Sequence, residues 1–325
     1  MPEAAARGAG GRVGPAAILL AVLLALALLA PVLATDQPLV ASLDGRLVFP
    51  AAADLASLGW MADGPARPID WQTPPPGARV LLRAPIPHSY RGISLQEALQ
   101  APSRRHWLGT DGLGRDMLSR LLHGARPSLL IAFAATGLAL AAGGALGGAA
   151  ALRGGIVDRI VVRLIEIVAC FPPFVLVLAF AAAGRGGMLP IVCGIALNRW
   201  TGTARYVRGE VLRHRAGGLW DAARASGASL PRVALRHLLP LLAPPLAVLT
   251  AFGVAHAVLL ESGLSFIGLG VPPPLPSWGT LLAESRATLG AAWWPVAWPA
   301  AALVLVLGAL GSAAERAVAG RETGR

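Results

Sequence analysis

Apolar residues gather into long runs broken by short polar stretches, with one long polar interval near the start. The first run, residues 15–34, is almost unbroken Ala and Leu. It has the roughly 20 residues that carry a helix across the hydrocarbon of a bilayer. It also exceeds the roughly 7–15 residue core of a secretory signal, so an uncleaved span is expected, with Val32-Leu33-Ala34 leaving cleavage as the rival reading. Residues 35–125 are polar, carry Pro74-Pro75-Pro76 and hold no span, which leaves room for a small subdomain outside the membrane. Further spans are expected at about 128–152, 156–183 and 238–260, and at 295–314 behind Trp293-Trp294 with Trp298 just inside, an interfacial aromatic belt. The run at 188–197 is short before Asn198, Arg199 and Trp200, so its helix is expected to continue beyond the membrane toward Glu210. Gly143, Gly144, Gly147 and Gly148 form a small-residue face suited to close helix contact.

Composition agrees with this pattern. Apolar residues make up 55% of the chain and charged residues only 14%, against roughly 25% charged in soluble domains. All 28 basic side chains are Arg, and lysine is absent. A standard P-loop nucleotide site, which needs a lysine, is therefore excluded. The net charge of +11 does not point to nucleic acid, because the arginines flank apolar runs. Cys170 and Cys193 both sit in apolar runs and read as small packing residues, too few for a metal site.

The arginines also predict sidedness. Residues 199–237 carry eight Arg against Glu210 and Asp221, residues 153–163 carry three, the amino terminus two and the tail after Ala314 three. The opposite loops 184–187 and 263–294 hold one each, Arg185 and Arg286. Six spans with both termini inside satisfy the positive-inside rule, with the long 35–125 loop exempt. The fold class expected is an all-α integral membrane protein of six transmembrane helices.

Between two apolar runs, residues 219–240 read LWDAARASGASLPRVALRHLLP. Ala222, Ala223 and Ala225 are small, strong helix formers and build a slim helix. Asp221 suits the positive end of its dipole, Gly227 ends it, and Pro231 suits the first turn of the next helical stretch. Arg224, Arg232 and Arg236 offer charge to a partner's acids or to lipid phosphates. The bland reading is a generic interfacial amphipathic helix; the sharper one is a cytoplasmic knob for another protein.

Four stretches in order carry a family resemblance: HWLGTDGLGRDMLSRLLHGARPSL (106–129), VDRIVVRLIEIVACFPPFVLVLAF (157–180), DAARASG with LRHLLP (221–240), and LESGLSFIGLGVPPPLPSWGTLLAE (260–284). Together they make the chain resemble the permease subunits of ATP-binding-cassette importers, in the oligopeptide/dipeptide/nickel branch, second-permease type. The third stretch is similar to the EAA loop of importer permeases. Residues 34–50 resemble the external loop of the Yej-type, microcin-C and peptide subgroup. Departures are Asp221 in place of Glu, His237, Leu241 and Pro190.

The resemblance implies the type I importer permease fold with a cytoplasmic coupling helix, in which Trp220, Asp221, Ala222, Ala223, Arg224 and Gly227 dock on a separate ATPase. It implies a homologous second permease, two cytoplasmic ATPase subunits and an extracytoplasmic substrate-binding protein as partners within the lipid bilayer. Mg-ATP would be bound by the ATPases, leaving this chain without cofactor or metal and without catalysis. The layout expected is a tail and first helix at 1–34, the external loop at 35–125, a five-helix permease core at 126–316 and a cytoplasmic tail at 317–325. A peptide or peptide-like solute is the expected cargo, with nickel chelates or oligosaccharides as alternatives. An ion-driven secondary transporter would show an inverted repeat and mid-span acids or histidines, and neither is clear.

Three further groups carry charge near or within the spans. Arg163 and Glu166 stand three apart on one helix face and can form an ion pair, structural or gating. Arg205 and Arg208 read as positive-inside anchors. His256 and Glu261 are a weak proton-coupling pair, with packing or loop orientation the better reading. Residues 262–270, rich in Gly, are expected to dip back toward the bundle.

Overall fold

The computed structural model describes residues 14–52, 71, 74, 76–184, 187–215, 236 and 239–322, with side chains through Arg316. Its helices are α1 (Pro15–Leu33), α2 (Met117–Arg153), α3 (Gly155–Ala169), α4 (Pro173–Ala183), α5 (Met188–Arg215), α6 (Leu239–Phe266), α7 (Trp278–Ser285) and α8 (Trp294–Glu322). Four of these, α1, α2, α6 and α8, are long and apolar enough to cross a membrane, and the bent pair α3–α4 brings the number to five.

The chain runs up and down one bundle. Arg316, late in α8, packs on Gly14 at the start of α1. The far end of α1 meets the start of α2, where His123 Nε2 donates to the Ala34 carbonyl at 2.8 Å. Alongside α2, α5 runs in the same direction: Gly143 faces Trp200, and Gly147 faces Ala204. Returning antiparallel, α6 carries Leu242 into a cluster with Val207, Val211 and Ala151 and Glu261 to the opposite end beside Ser128. The main core lies where α1, α2, α4, α5, α6 and α8 meet, around Ile131, Ala135, Val177, Ile195, Val258, Leu264 and Val306.

Several boundaries differ from the expectation. The span expected at 156–183 is two helices bent by 84°. Pro172 and Pro173 cause the break, because neither donates a backbone bond and the first holds an extended ψ of 130°. The half before it, α3, is amphipathic and buries only Val161 and Ile165. At the other expected span, α2 begins at Met117, eleven residues early, because Asp116 accepts from the Ser119 amide at 2.7 Å and caps the helix. The division at residue 126 therefore falls inside α2 rather than at its start. As expected for 188–210, α5 runs unbroken to Arg215. Pro190 is harmless in its first turn, where no intrahelical donor is needed. Helical backbone in α8 continues through Glu322, so the expected tail at 317–325 is largely helix.

The polar interval holds a three-stranded antiparallel sheet, ordered β2-β1-β3, of β1 (Val40–Leu43), β2 (Arg46–Val48) and β3 (Ala78–Leu82). Asp44 and Gly45 join the first two strands with φ of 50° and 77°. A two-residue Asp-Gly turn with both φ positive matches the strand twist.

Candidate functional site

The coupling residues named from the sequence, Trp220, Asp221, Ala222, Ala223, Arg224 and Gly227, lie outside the described residues. Their roots are described. Val207 and Val211 of α5 pack with Leu242 and Leu246 of α6 and with Ala151 and Leu152 at the end of α2. Arg215 donates to the Ala151 carbonyl, one of the last acceptors of α2 without an intrahelical partner. The described ends on either side of residues 216–238, α5 and α6, thus meet with α2 in one apolar knot, at the same end of the bundle as Gly14 and Arg316.

A fourth helix is tied to this end by charge. Arg208 of α5 grips Asp158 of α3 with two parallel bonds, Nε to Oδ1 at 2.5 Å and Nη2 to Oδ2 at 2.7 Å. This fork-to-fork geometry is the strong form of a carboxylate contact. It corrects the reading of Arg208 as a simple anchor, which missed Asp158. Both side chains are partly exposed, 31% and 26%, so the pair is expected to contribute only about 1 kcal/mol. Arg208→Ala should cost the detergent-purified protein about that much stability, seen as a lowered thermal midpoint, and Arg208→Lys should recover only part of it. A double-mutant cycle with Asp158→Ala that gives no coupling energy would remove the pair from the account. Arg163 and Glu166 do meet, at 2.7 Å, but both are exposed on the outer face of α3.

The other end of the bundle is locked by polar networks. Arg120, buried in α2, donates to Asp111 at 2.6 Å and to both oxygens of Glu284 on α7, at 2.6 and 3.1 Å. Arg115 bonds the same two carboxylates. Asp111 also accepts from the Leu113 and Arg115 amides at 2.8 and 3.0 Å, which shapes the loop before α2. His106 Nδ1 lies 2.9 Å from Asp116 Oδ2, and Trp294 Nε1 donates to the Thr110 carbonyl at 3.0 Å. His88 converges with His106 and Asp116, but its Nε2 already pairs with the Arg105 carbonyl at 3.0 Å. The LGTD and GRD stretch therefore builds a cap and ties α2 to α7 and α8.

Glu261 is the most buried acid of the described residues and stands within α6, not at the start of a loop. Ser128 of α2 donates to its Oε2 at 3.0 Å and Ser265 to its Oε1 at 2.7 Å. Ser277 extends the network to Ser265 at 3.2 Å, and the Trp278 amide reaches Ser128 at 3.3 Å. His256 takes no part in it, so the two do not form the proton-coupling pair that their spacing allowed. The residues expected to dip back are helical as far as Phe266; the return begins at Ile267, and α7 lies against α6 and α2.

Against this geometry, residues 139–323 match the family of the binding-protein-dependent transport system inner membrane component. A protein of Brucella suis named as a peptide permease is 39% identical over 224 residues, covering 68% of this chain and 74% of the relative. The nickel transport system permease protein NikC of Escherichia coli is 36% identical over 220 residues, 68% of this chain and 79% of its own. The oligopeptide transport system permease protein OppC of Mycobacterium bovis is 33% identical, with 68% and 77% covered. Among solved structures, an inward-facing MetNI methionine ABC transporter chain has a TM-score of 0.53 at 20% identity, covering 64% of this chain and 98% of that one. That likeness extends to the fold. The chain belongs to the family of binding-protein-dependent transport system inner membrane components. It is a multi-pass inner-membrane permease subunit of an ATP-driven importer of the oligopeptide, dipeptide and nickel branch.

Proposed function

We propose that this permease moves peptides or peptide-like solutes. The Brucella relative, at 39% identity, carries a peptide-permease name, and four stretches in order between residues 106 and 284 resemble that branch. Half of the translocation path comes from this chain and half from a homologous second permease. Two cytoplasmic ATPase subunits bind Mg-ATP, and an external binding protein delivers the solute. The chain itself performs no catalysis and holds no cofactor.

Six passages cross the membrane in this reading, with α3–α4 as one broken passage and α5 as the sixth span. Both termini and the segment 216–238 face the cytoplasm, as the arginine-rich flanks require. One observation carries the coupling: α2, α5 and α6 converge on a single apolar knot at the roots of that segment. A push on the segment moves three helices together, while Arg120 and Glu261 hold the other ends of α2 and α6. ATP-driven closure of the partners supplies the differential energy that shifts the path between its two accesses.

The test is transport by assembled complexes in proteoliposomes. Gly227→Pro and Ala223→Asp are expected to insert normally, to bind the ATPase subunits weakly and to bring uptake down to background. If either variant retains its ATPases and transports like the wild type, the docking role is wrong. Uptake by this chain without any ATPase subunit would instead favour the ion-driven reading.

A further inference from the structure

A groove of about 310 Å³ opens between α1 and α2. Leu24, Ala27 and Leu28 form one wall, and Leu129, Leu130 and Phe133 the other. Tyr90, His123 and Arg126 stand at its mouth. Its depth in the membrane follows from α1, whose 19 residues span about 28 Å, close to the hydrocarbon thickness. Ala34, just past α1, accepts from His123 and so marks the boundary. Moving inward from it, α1 presents Leu28, then Ala27 and Leu24, while α2 presents Leu129, Leu130 and, about 10 Å below Arg126, Phe133.

Among the described residues that line the groove, the charge at its mouth is basic. Arg126 has no hydrogen bond or ion pair with any described residue, and no carboxylate among the described residues lines the groove. Arg91 brings a second guanidinium: it donates to Tyr90 Oη at 2.8 Å and lies 5.1 Å over the Tyr90 ring, which in turn stacks on His123 at 4.4 Å. An apolar trough below, with cations at the water boundary above, has the layout of a phospholipid.

We infer that this groove binds an anionic phospholipid, one acyl chain between α1 and α2 and the phosphate on Arg126 with Arg91 beside it. Each basic side chain at a membrane surface favours an anionic lipid, and a guanidinium pairs with phosphate through two donors.

Native mass spectrometry of the full chain with its partner subunits, in detergent, tests this. The probes are dioleoyl phosphatidylglycerol, dioleoyl phosphatidylcholine and glycerol 3-phosphate. The phosphatidylglycerol adduct is expected to exceed the phosphatidylcholine adduct about fivefold, and glycerol 3-phosphate, which has no chain for the trough, should not bind. Arg126→Gln should equalise the two lipids and Arg126→Lys should keep most of the preference. Leu28→Trp, at a position 70% exposed, should fill the groove and reduce both adducts. Equal binding of the two lipids by wild type, a preference that survives Arg126→Gln, or glycerol 3-phosphate binding as well as the lipid overturns the proposal. So does a photo-crosslinking residue at Leu130 that captures the second permease rather than lipid.

Discussion

Leucine in place of Gly147 should separate α2 from α5 and leave the permease unassembled. The α2–α5 packing is the largest helix contact in the structure, and it rests on close backbone approach. A Cβ at Gly147 would sit 2.3 Å from the Ala204 carbonyl oxygen and 2.8 Å from Ala204 Cα. One turn earlier, a Cβ at Gly143 would sit 2.5 Å from the Trp200 carbonyl oxygen. Both obstacles are helix backbone, so nothing short of moving the helix relieves them. Within a bilayer there is little hydrophobic force to bring helices together, and packing contacts of this kind hold them. Overpacking here should cost about 3 kcal/mol, the upper end of the usual range. Gly148→Leu is the matched control, since a Cβ there meets nothing within 4 Å. Intrinsic tryptophan melting and size-exclusion profiles in detergent should separate the two variants. If they behave alike, close approach at Gly147 is not what holds the bundle.

Glu261→Ala should be the next most damaging change, at roughly 2–3 kcal/mol. It leaves a void in α6 and strips the Ser128 and Ser265 hydroxyls of the acceptor they share. The effect should be felt at a distance, because Ser128 also holds the Trp278 amide and Ser277 bonds Ser265. The fold-back after Ile267 and α7 should therefore loosen together. Limited proteolysis in the loop before Trp278 and a lowered thermal midpoint would register this. Glu261→Gln keeps the shape and an acceptor oxygen and should cost less. An Ala variant as resistant to protease as the wild type would show that the carboxylate does not pin the fold-back.

Legibility in the sequence followed the range of the interaction. The Ala/Leu runs placed α1 and the starts of α6 and α8 almost to the residue, because transfer into hydrocarbon adds up along the chain, while α6 and α8 run on to Phe266 and Glu322, past the expected ends at 260 and 314. The start of α2 was hidden: its first turns carry Arg120 and His123, and only the Asp116 cap declares them. Asp44-Gly45 between short apolar runs was a readable hairpin signal that the proline-rich surroundings masked. The consecutive prolines at 172 and 173 were equally readable as a break, and were overridden by the unbroken hydrophobicity around them.

By itself the sequence determined that the chain lives in a bilayer, which flanks are basic, and which branch of importer permeases it resembles. Each of these is a property of local composition or of ordered motifs, and needs no knowledge of what touches what. Only the tertiary structure decided that Gly143 and Gly147 meet α5 while Gly144 and Gly148 face open space. It likewise joined Arg208 to Asp158 across 50 residues and Arg120 to Glu284 across 164. The physical reason is rotation: a helix turns about 100° per residue, so which neighbour each side chain meets depends on how every helix is turned within the bundle.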